Sequence, residues 1–487
     1  MVASGPTGAG RWPERYRSFR YAALSTSWSR DPSPAAYWAR FDYELADAGA
    51  SNVLRFSEVV WLPPPPAPPD AARLAALSRV VELLYLVAGV SYYKVAAPPV
   101  VDAASLTLEE EARRYLAAVY RGGLGEFAYR NNLPRALAPE LLVTAARRPA
   151  VPLPAPPGGT PLVPVGGGKD SVVSVELLRD AGFRPTLFAV ALGAKPAPRD
   201  GKRRDPAVTP NLAIRQVLDA AGLPRLIAQR TLDAGLLGAN RRGAYNGHVP
   251  VTAINALVAV ATAVLHGLGP VVLSNERSAS SGNLVWHGQQ VNHQWSKSLE
   301  AERLLRGALA AHAGPGVTCF SLLRSLSELT IARLFARHDR YDRAFSSCNA
   351  VYGVGSAAPV ASSWCGHCPK CRFVALIMAP FMSRSRLVAI LGRDLLRDRS
   401  QLHGFRELVG IAGHKPFECV GELGEARVAL RLAAEHPDWK DAEVVRRLSA
   451  ELPAAAWPSA ATVERVLTPG GESFVPPEYQ RALHARV

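Results

Sequence analysis

The stretch Pro164-Val165-Gly166-Gly167-Gly168-Lys169-Asp170-Ser171 decides how this chain of 487 residues is read. An apolar run, Leu162, Val163 and Val165, leads into it. An amphipathic run, Val172, Val173, Val175, Leu177 and Leu178, leaves it. That order reads as strand, glycine turn, helix start. Three glycines let the backbone turn tightly and approach a ligand closely. The free N–H groups of a first helical turn favour an anion, and Ser171 adds a hydroxyl donor. Gly166–Ser171 therefore reads as a phosphate cradle. Its spacing is neither the G-x-x-x-x-G-K-[ST] of a Walker loop nor the G-x-G-x-x-G of a dinucleotide fold. The plain alternative is a glycine turn that binds nothing.

Strand and helix signals alternate downstream. Strands are expected at 162–165, 186–191, 225–229 and 271–274, with helices to Ala181 and over 211–221 and 249–265. Such alternation predicts a parallel sheet with helices on both faces. Ligands in these sheets sit at the carboxyl ends of strands. The glycine loop and Ser274-Asn275-Glu276 both fall at such ends, so Asn275 and Glu276 join the candidate nucleotide site. The apolar run Val249–Leu265 is long enough to be mistaken for a membrane span, but it reads as a buried helix of this layer.

Three of the six cysteines fall in Trp364-Cys365-Gly366-His367-Cys368-Pro369-Lys370-Cys371, and Cys348 lies upstream. Four thiolates from Cys348, Cys365, Cys368 and Cys371 suit a closed, structural zinc site. An iron–sulfur cluster is the rival, since it too is held by four cysteines. His367 reads as a bystander, and Cys319 and Cys419 as ordinary buried thiols.

Residues 1–150 carry no motif with assignable chemistry and are expected to be mainly helical, with helices over 71–88 and 108–120. Pro63–Pro69 reads as a stiff linker. Gly89–Lys94 reads as a packed loop or a substrate-binding one. The Pro- and Gly-rich 149–159 suggests a boundary, which gives an N-terminal region at 1–150, a central domain at 160–385 with the knuckle at 348–371, and a mainly helical C-terminal region at 386–487. The 48% hydrophobic composition excludes a disordered chain. Met1–Gly10 has no basic-then-apolar leader pattern, so a cytoplasmic protein is expected. The net charge of +15 is spread along the chain, with one short cluster at Arg199–Arg204. It fits a phosphorylated substrate as well as nucleic acid.

With Gly166 in the place of a serine, the glycine loop resembles the S-G-G-x-D-S loop of the PP-loop ATP pyrophosphatases, which have a Rossmann-like fold. A PP-loop domain followed by a four-cysteine knuckle is also similar to the pre-queuosine nitrile synthases. A narrower resemblance covers about 85–425. It is carried by Gly89–Lys94 (GVSYYK), Gly125–Asn131 (GEFAYRN), Pro164–Ser171, Ser274–Ser278 (SNERS), Asn292–Ser298 (NHQWSKS), Trp364–Cys371 and Lys415–Gly421 (KPFECVG). By these segments the chain resembles the bacterial UDP-N-acetylmuramoyl-L-alanyl-L-glutamate epimerases of peptidoglycan precursor synthesis.

The resemblance implies inversion of the terminal L-glutamate of a UDP-linked muramoyl dipeptide, driven by ATP and magnesium, with release of AMP and pyrophosphate. No membrane partner is implied, and nucleic acid is not expected. In this reading Gly166, Gly167, Gly168, Lys169, Asp170 and Ser171 hold the phosphates. Lys169 neutralises charge on the leaving pyrophosphate. Asp170 is the magnesium candidate or a helix cap, and Glu276 a second carboxylate or the ion-pair partner of Arg277. His293 and Lys297 are candidates for proton transfer, four residues apart and on one face if the segment is helical. His248, His287, Tyr92 and Lys94 are further candidates, and one-base and two-base routes both stay open. Two other functions compete: a PP-loop enzyme acting on tRNA or a deazapurine, and an ATP-binding protein without turnover.

Overall fold

The computed structural model describes residues 12–29, 36–145, 148–149, 151–153, 159–193, 208–352, 364–413 and 415–484. The cluster Arg199–Arg204 lies outside them.

The strands expected downstream of residue 160 are present as β6 (Leu162–Pro164), β7 (Thr186–Gly193), β8 (Arg225–Thr231) and β9 (Val271–Leu273), joined by β12 (Cys319–Ser321). Between them run α4 (Lys169–Asp180), α5 (Leu212–Ala221), α6 (Ala234–Arg241), α7 (Val251–His266) and α8 (Leu299–His312). These five strands run parallel to one another. Alternate side chains point to opposite faces of a sheet, and two separate cores result. Leu162, Phe188, Val271 and Cys319 enter one. Val163, Leu187, Ala189, Val272 and Phe320 enter the other. Helix α7 is buried in the first core, as its apolar sequence required.

The expectation of a mainly helical N-terminal region is corrected. Residues 16–145 supply five strands: β1 (Tyr16–Ser29), β2 (Ala36–Asp47), β3 (Val53–Trp61), β4 (Val100–Leu108) and β5 (Glu140–Ala145). They extend the same sheet, in the order β12-β9-β6-β7-β8-β3-β2-β1-β4-β5. The central pairs β8–β3, β3–β2 and β2–β1 are antiparallel, and β1–β4 and β4–β5 are parallel. The physical reason is a period of two: Tyr37, Ala39, Phe41, Tyr43 and Leu45 alternate with polar residues and are all buried.

Helices α1 (Ala71–Tyr93), α2 (Glu110–Arg121) and α3 (Gly125–Asn131) cover this half. Asp70 caps α1 by accepting from the Arg73 N–H at 2.8 Å. Helix α1 is long and apolar enough to cross a membrane, but most of it is buried against the sheet. Gly89–Tyr93 is its last turn rather than a loop. Tyr92 is therefore a core residue, stacked on Tyr43 with ring centroids 4.9 Å apart. Its hydroxyl donates to Glu58 at 2.9 Å, and Glu58 also accepts from buried Arg230. This network seals the β3–β8 seam between the two halves of the sheet.

The knuckle leads into α11 (Pro369–Met378), beyond a short α10 (Asn349–Tyr352) and α9 (Glu328–Phe335). The C-terminal part is helical as expected: α12 (Arg384–Leu391), α13 (Leu402–Val409), α14 (Leu423–Glu435), α15 (Glu443–Glu451), α16 (Ala460–Leu467) and α17 (Pro477–His484). A two-stranded hairpin, β10 (Leu284–Trp286) and β11 (Gln289–Val291), stands apart from the main sheet.

Phe41 is fully buried and its ring lies 5.4 Å from that of Tyr85 in α1. Phe41→Ala is expected to cost about 3–5 kcal/mol in urea unfolding. A loss below 1 kcal/mol would contradict a shared core between β2 and α1.

Candidate active site

The carboxyl ends of three adjacent parallel strands converge. After β6 the chain turns through Gly167, whose φ of +83° is the left-handed region open to glycine. A Cβ on Gly168 would meet the Ser347 Oγ at 2.9 Å, so a larger residue there would displace that hydroxyl. Helix α4 then starts at Lys169, and no side chain caps it. The alternative of Asp170 as a helix cap is therefore not what the fold uses. Its carboxylate meets the Lys169 ammonium instead. Ser171 turns its hydroxyl back to the Gly168 carbonyl at 3.1 Å.

Lys169 is buried and also meets the carboxylate of Glu328, the first residue of α9 beyond β12. Glu276, just past β9, completes the group. One oxygen each of Asp170, Glu276 and Glu328 lie within 4.8 Å of one another. Both oxygens of Glu276 are buried without a hydrogen-bond partner. The ion pair of Glu276 with Arg277 does not form: Arg277 reaches the carbonyls of Val466 and Thr468 at 3.2 and 3.3 Å. Burial would push the Lys169 ammonium down, but the charges of Asp170 and Glu328 hold it above its ordinary value. Burial would raise Asp170, but Lys169 and then Lys297 hold it low. Glu328 is raised by burial and, against Lys169, by the charges of Asp170, Glu276 and Glu425. Lys169 and, beside it, Lys297 thus face three buried carboxylates, of which Glu276 has no hydrogen-bond partner. Three carboxylates at this spacing, one wholly unpartnered, fit a divalent cation.

Two buried groups fix this end. Arg324, paired with Glu302 at 2.8 Å, donates to the carbonyls of Glu276 at 2.7 Å and Lys297 at 2.6 Å. Asn275 donates to Ser321 at 3.0 Å and so ties β9 to β12. Asn275 is a positioning residue in this arrangement.

A second cluster adjoins the first. The half-buried His293 bonds the buried Glu126 of α3 through Nδ1. The Cys419 thiol is a neighbour that favours the protonated form of His293. The His293 ring lies 4.3 Å from that of His248. Burial would lower His293, but Cys419 and Glu126 raise it to about 9. Burial and the neighbouring His293 push His248 down to about 4, against Glu126. Lys94 donates to Asn246 at 2.9 Å and to the Gly247 carbonyl at 3.1 Å, which places it beside His248, and burial lowers it to about 8. His293 and Lys297 do not share an α-helical face, because Trp295–Lys297 is a single 3-10 turn that follows a turn at His293. Both act on one sulfur nevertheless, that of Cys419. His287 sits at the exposed tip of the β10–β11 hairpin, outside the site.

The segments quoted from the sequence meet here. Asn283 donates to the Pro416 carbonyl at 2.8 Å, and Gln294 to that of Val420 at 3.4 Å. Phe417 packs between Tyr129 and the Arg130 guanidinium, 5.4 and 5.0 Å from its ring. Sequence reasoning missed Glu126, Glu328 and Cys419 as site residues. Glu126 and Cys419 lay inside quoted segments, whereas Glu328 carried no signal beyond a helix start.

The Cys348, Cys365, Cys368 and Cys371 sulfurs form one cluster, with the Cys348–Cys368, Cys365–Cys371 and Cys368–Cys371 pairs 4.0, 3.7 and 3.4 Å apart. A tetrahedron with metal–sulfur bonds of about 2.3 Å has edges of about 3.8 Å. The set therefore fits a single ion. His367 bonds the Cys365 carbonyl at 2.8 Å and points away from the sulfurs.

Comparison with known proteins matches residues 12–322 to the MurL N-terminal domain and residues 344–463 to the MurL C-terminal domain. The chain belongs to this family. It is similar to the UDP-N-acetyl-alpha-D-muramoyl-L-alanyl-L-glutamate epimerase of a Micromonospora species, 52% identical over 91% of the chain and 94% of that relative. The namesake enzyme of Salinispora tropica is 51% identical over 91% of the chain and 92% of the relative. That of Xanthomonas oryzae pv. oryzae is 41% identical over 86% and 89%. No solved structure matches. Family membership spans both clusters, since Glu126, Asp170, Glu276 and His293 fall in the first match and the cysteine knuckle and Cys419 in the second.

If Glu276 awaits a cation, magnesium will raise the melting temperature of the wild-type chain. Glu276→Gln, which removes the charge at constant shape, should melt higher than wild type in chelator and lose the magnesium response. An unchanged magnesium response in that variant would remove Glu276 from the site.

Proposed function

We propose that the chain inverts the terminal L-glutamate of UDP-MurNAc-L-Ala-L-Glu by activating its α-carboxylate with ATP. One observation carries this reading: a nucleotide-type end (Gly166–Ser171, Lys169, Asp170, Glu276, Glu328) adjoins a proton-moving end (His293, Lys297, Glu126) in a single site. The names of its relatives supply the substrate.

The chemistry needs both ends. An α-proton beside a carboxylate is barely acidic, because its removal places a second negative charge next to the first. Attack of the α-carboxylate oxygen on the α-phosphorus of ATP expels pyrophosphate and leaves a neutral acyl group as electron sink. Gly166–Ser171 cradle the phosphates through backbone N–H groups, and the Lys169 ammonium meets the charge that builds on pyrophosphate. Asp170, Glu276 and Glu328 would hold magnesium, which supplies charge neutralisation at the phosphate oxygens. His293, held by Glu126, and Lys297 furnish titratable groups at the end where the α-carbon exchanges its proton. Water then hydrolyses the acyl-adenylate to the D-glutamyl product and AMP. The four-cysteine knuckle would hold zinc, which contributes folding energy and no chemistry.

In deuterated water with ATP, magnesium and the muramoyl dipeptide, the enzyme should form AMP and place deuterium at the glutamate α-carbon, with D-glutamate recovered on hydrolysis. Asp170→Asn should lower pyrophosphate release at least 100-fold. Epimerisation without AMP would refute the activation step.

Elemental analysis should find one zinc per chain, and Cys368→Ser should empty most of it and lower the melting temperature. Full occupancy in that variant, or iron in the purified protein, would overturn the zinc assignment.

A further inference from the structure

Among the six cysteines, Cys419 stands apart. Cys319 is sealed in β12, where burial pushes its thiol up to about 12. Four others form the knuckle. Cys419 sits in the loop 415–421 at the apex of a tight turn, with the Val420 N–H bonded to the Glu418 carbonyl at 2.8 Å. The loop is fixed from several sides: Asn283 holds Pro416, Gln294 holds Val420, Asn349 bonds the Glu418 carboxylate, and Phe417 is clamped by Tyr129 and Arg130. The sulfur therefore has a set position at the boundary between the two clusters.

Its surroundings come from distant parts of the chain. Lys297 acts on it from the turn beyond β11, Lys370 from α11 and His293 from the segment that Asn283 ties to the same loop, while the acidic neighbour is Glu418. Burial alone would raise the thiol, but these cations outweigh it and bring it to about 6. A thiolate is the reactive form at neutral pH. His293 is held in turn by the Glu126 carboxylate, with the sulfur as its other charged neighbour.

A second observation marks a ligand position beside the sulfur. Gln294, only 3% exposed, donates its amide N–H to Val420, yet its Oε1 is buried without a partner. Buried polar atoms are ordinarily satisfied. Glu276, whose charge acts on Lys297, likewise has no hydrogen-bond partner.

We propose that Cys419 takes the α-proton of the activated glutamyl residue and that the Lys297 ammonium delivers a proton to the opposite face. The inference rests on the activation chemistry proposed above. The C–H bond breaks, its proton goes to Sγ, and the electron pair moves into the acyl group as an enolate. The enolate takes a proton from Lys297 at its other face, and the pair returns to carbon. The new thiol passes its proton back to the lysine amine through solvent water. Burial opposes the Lys297 charge, and the Cys419 thiolate is the first of the charges that hold it in place. Protonation of the sulfur removes one of the charges that hold the proton on the lysine.

The test compares wild type, Cys419→Ala, Cys419→Ser and Lys297→Met with the muramoyl dipeptide, ATP and magnesium in deuterated water. Isotope exchange between pyrophosphate and ATP reports activation and folding together. In both Cys419 variants inversion and α-deuteration should fall 100- to 10,000-fold, while exchange stays within about tenfold. Lys297→Met should return deuterium to the face it left, giving α-deuterated L-glutamate without D-glutamate. Three results would overturn the proposal: inversion retained in Cys419→Ala, exchange lost in parallel with inversion in both Cys419 variants, or a hydroxylamine-labile substrate adduct on Cys419 in wild type. Absence of AMP in wild type would instead overturn the activation reading itself.

Discussion

The site depends on three buried carboxylates gathered around the Lys169 ammonium, with Lys297 beside them. Lys169 touches Asp170 and Glu328, and Glu276 stands within 4.8 Å of both carboxylates with neither oxygen satisfied. Such an arrangement is costly in a folded interior unless a ligand repays it. The three acids follow β6, β9 and β12, two of them in the first turns of α4 and α9, and these strands are adjacent and parallel, so the sheet itself forces them together. Arg324 then locks the Glu276 and Lys297 backbones in one clamp. Remove the sheet order and the charge cluster disperses.

The antiparallel N-terminal strands serve the same site at one remove. They build a floor for α1, α2 and α3, and α3 presents Glu126 to His293. Lys94, at the end of α1, holds the 246–247 turn beside His248. Electrostatics then separates the two imidazoles: His293 is raised by its anionic partners, and His248 is lowered by burial and by His293. Neighbouring groups pushed apart in this way are the raw material of acid–base chemistry.

Much of the central α/β layer was legible because its strands are short apolar runs set off by Gly and Pro, and its helices carry Ala- and Leu-rich faces. The N-terminal strands were also legible in principle. Tyr37, Ala39, Phe41, Tyr43 and Leu45 keep a strict period of two, but the helical runs on either side drew the reading away. The candidate site was partly legible: Lys169, Asp170, Glu276, His293 and Lys297 stood in quoted segments. Glu328 was hidden because a Ser-Glu pair at a helix start reads as capping, and Ser327 does cap α9. Cys419 looked inert because its cations come from positions 293, 297 and 370, a proximity only the fold creates.

The central claim is that the α-carboxylate becomes bonded to AMP before the α-carbon inverts. The direct measurement uses muramoyl dipeptide with oxygen-18 in both α-carboxylate oxygens and follows the label by mass spectrometry. The account predicts one oxygen-18 in the phosphate of each AMP released, because water attacks the acyl carbon and the bridging oxygen leaves with phosphorus. AMP free of label, formed alongside inverted product, would contradict it.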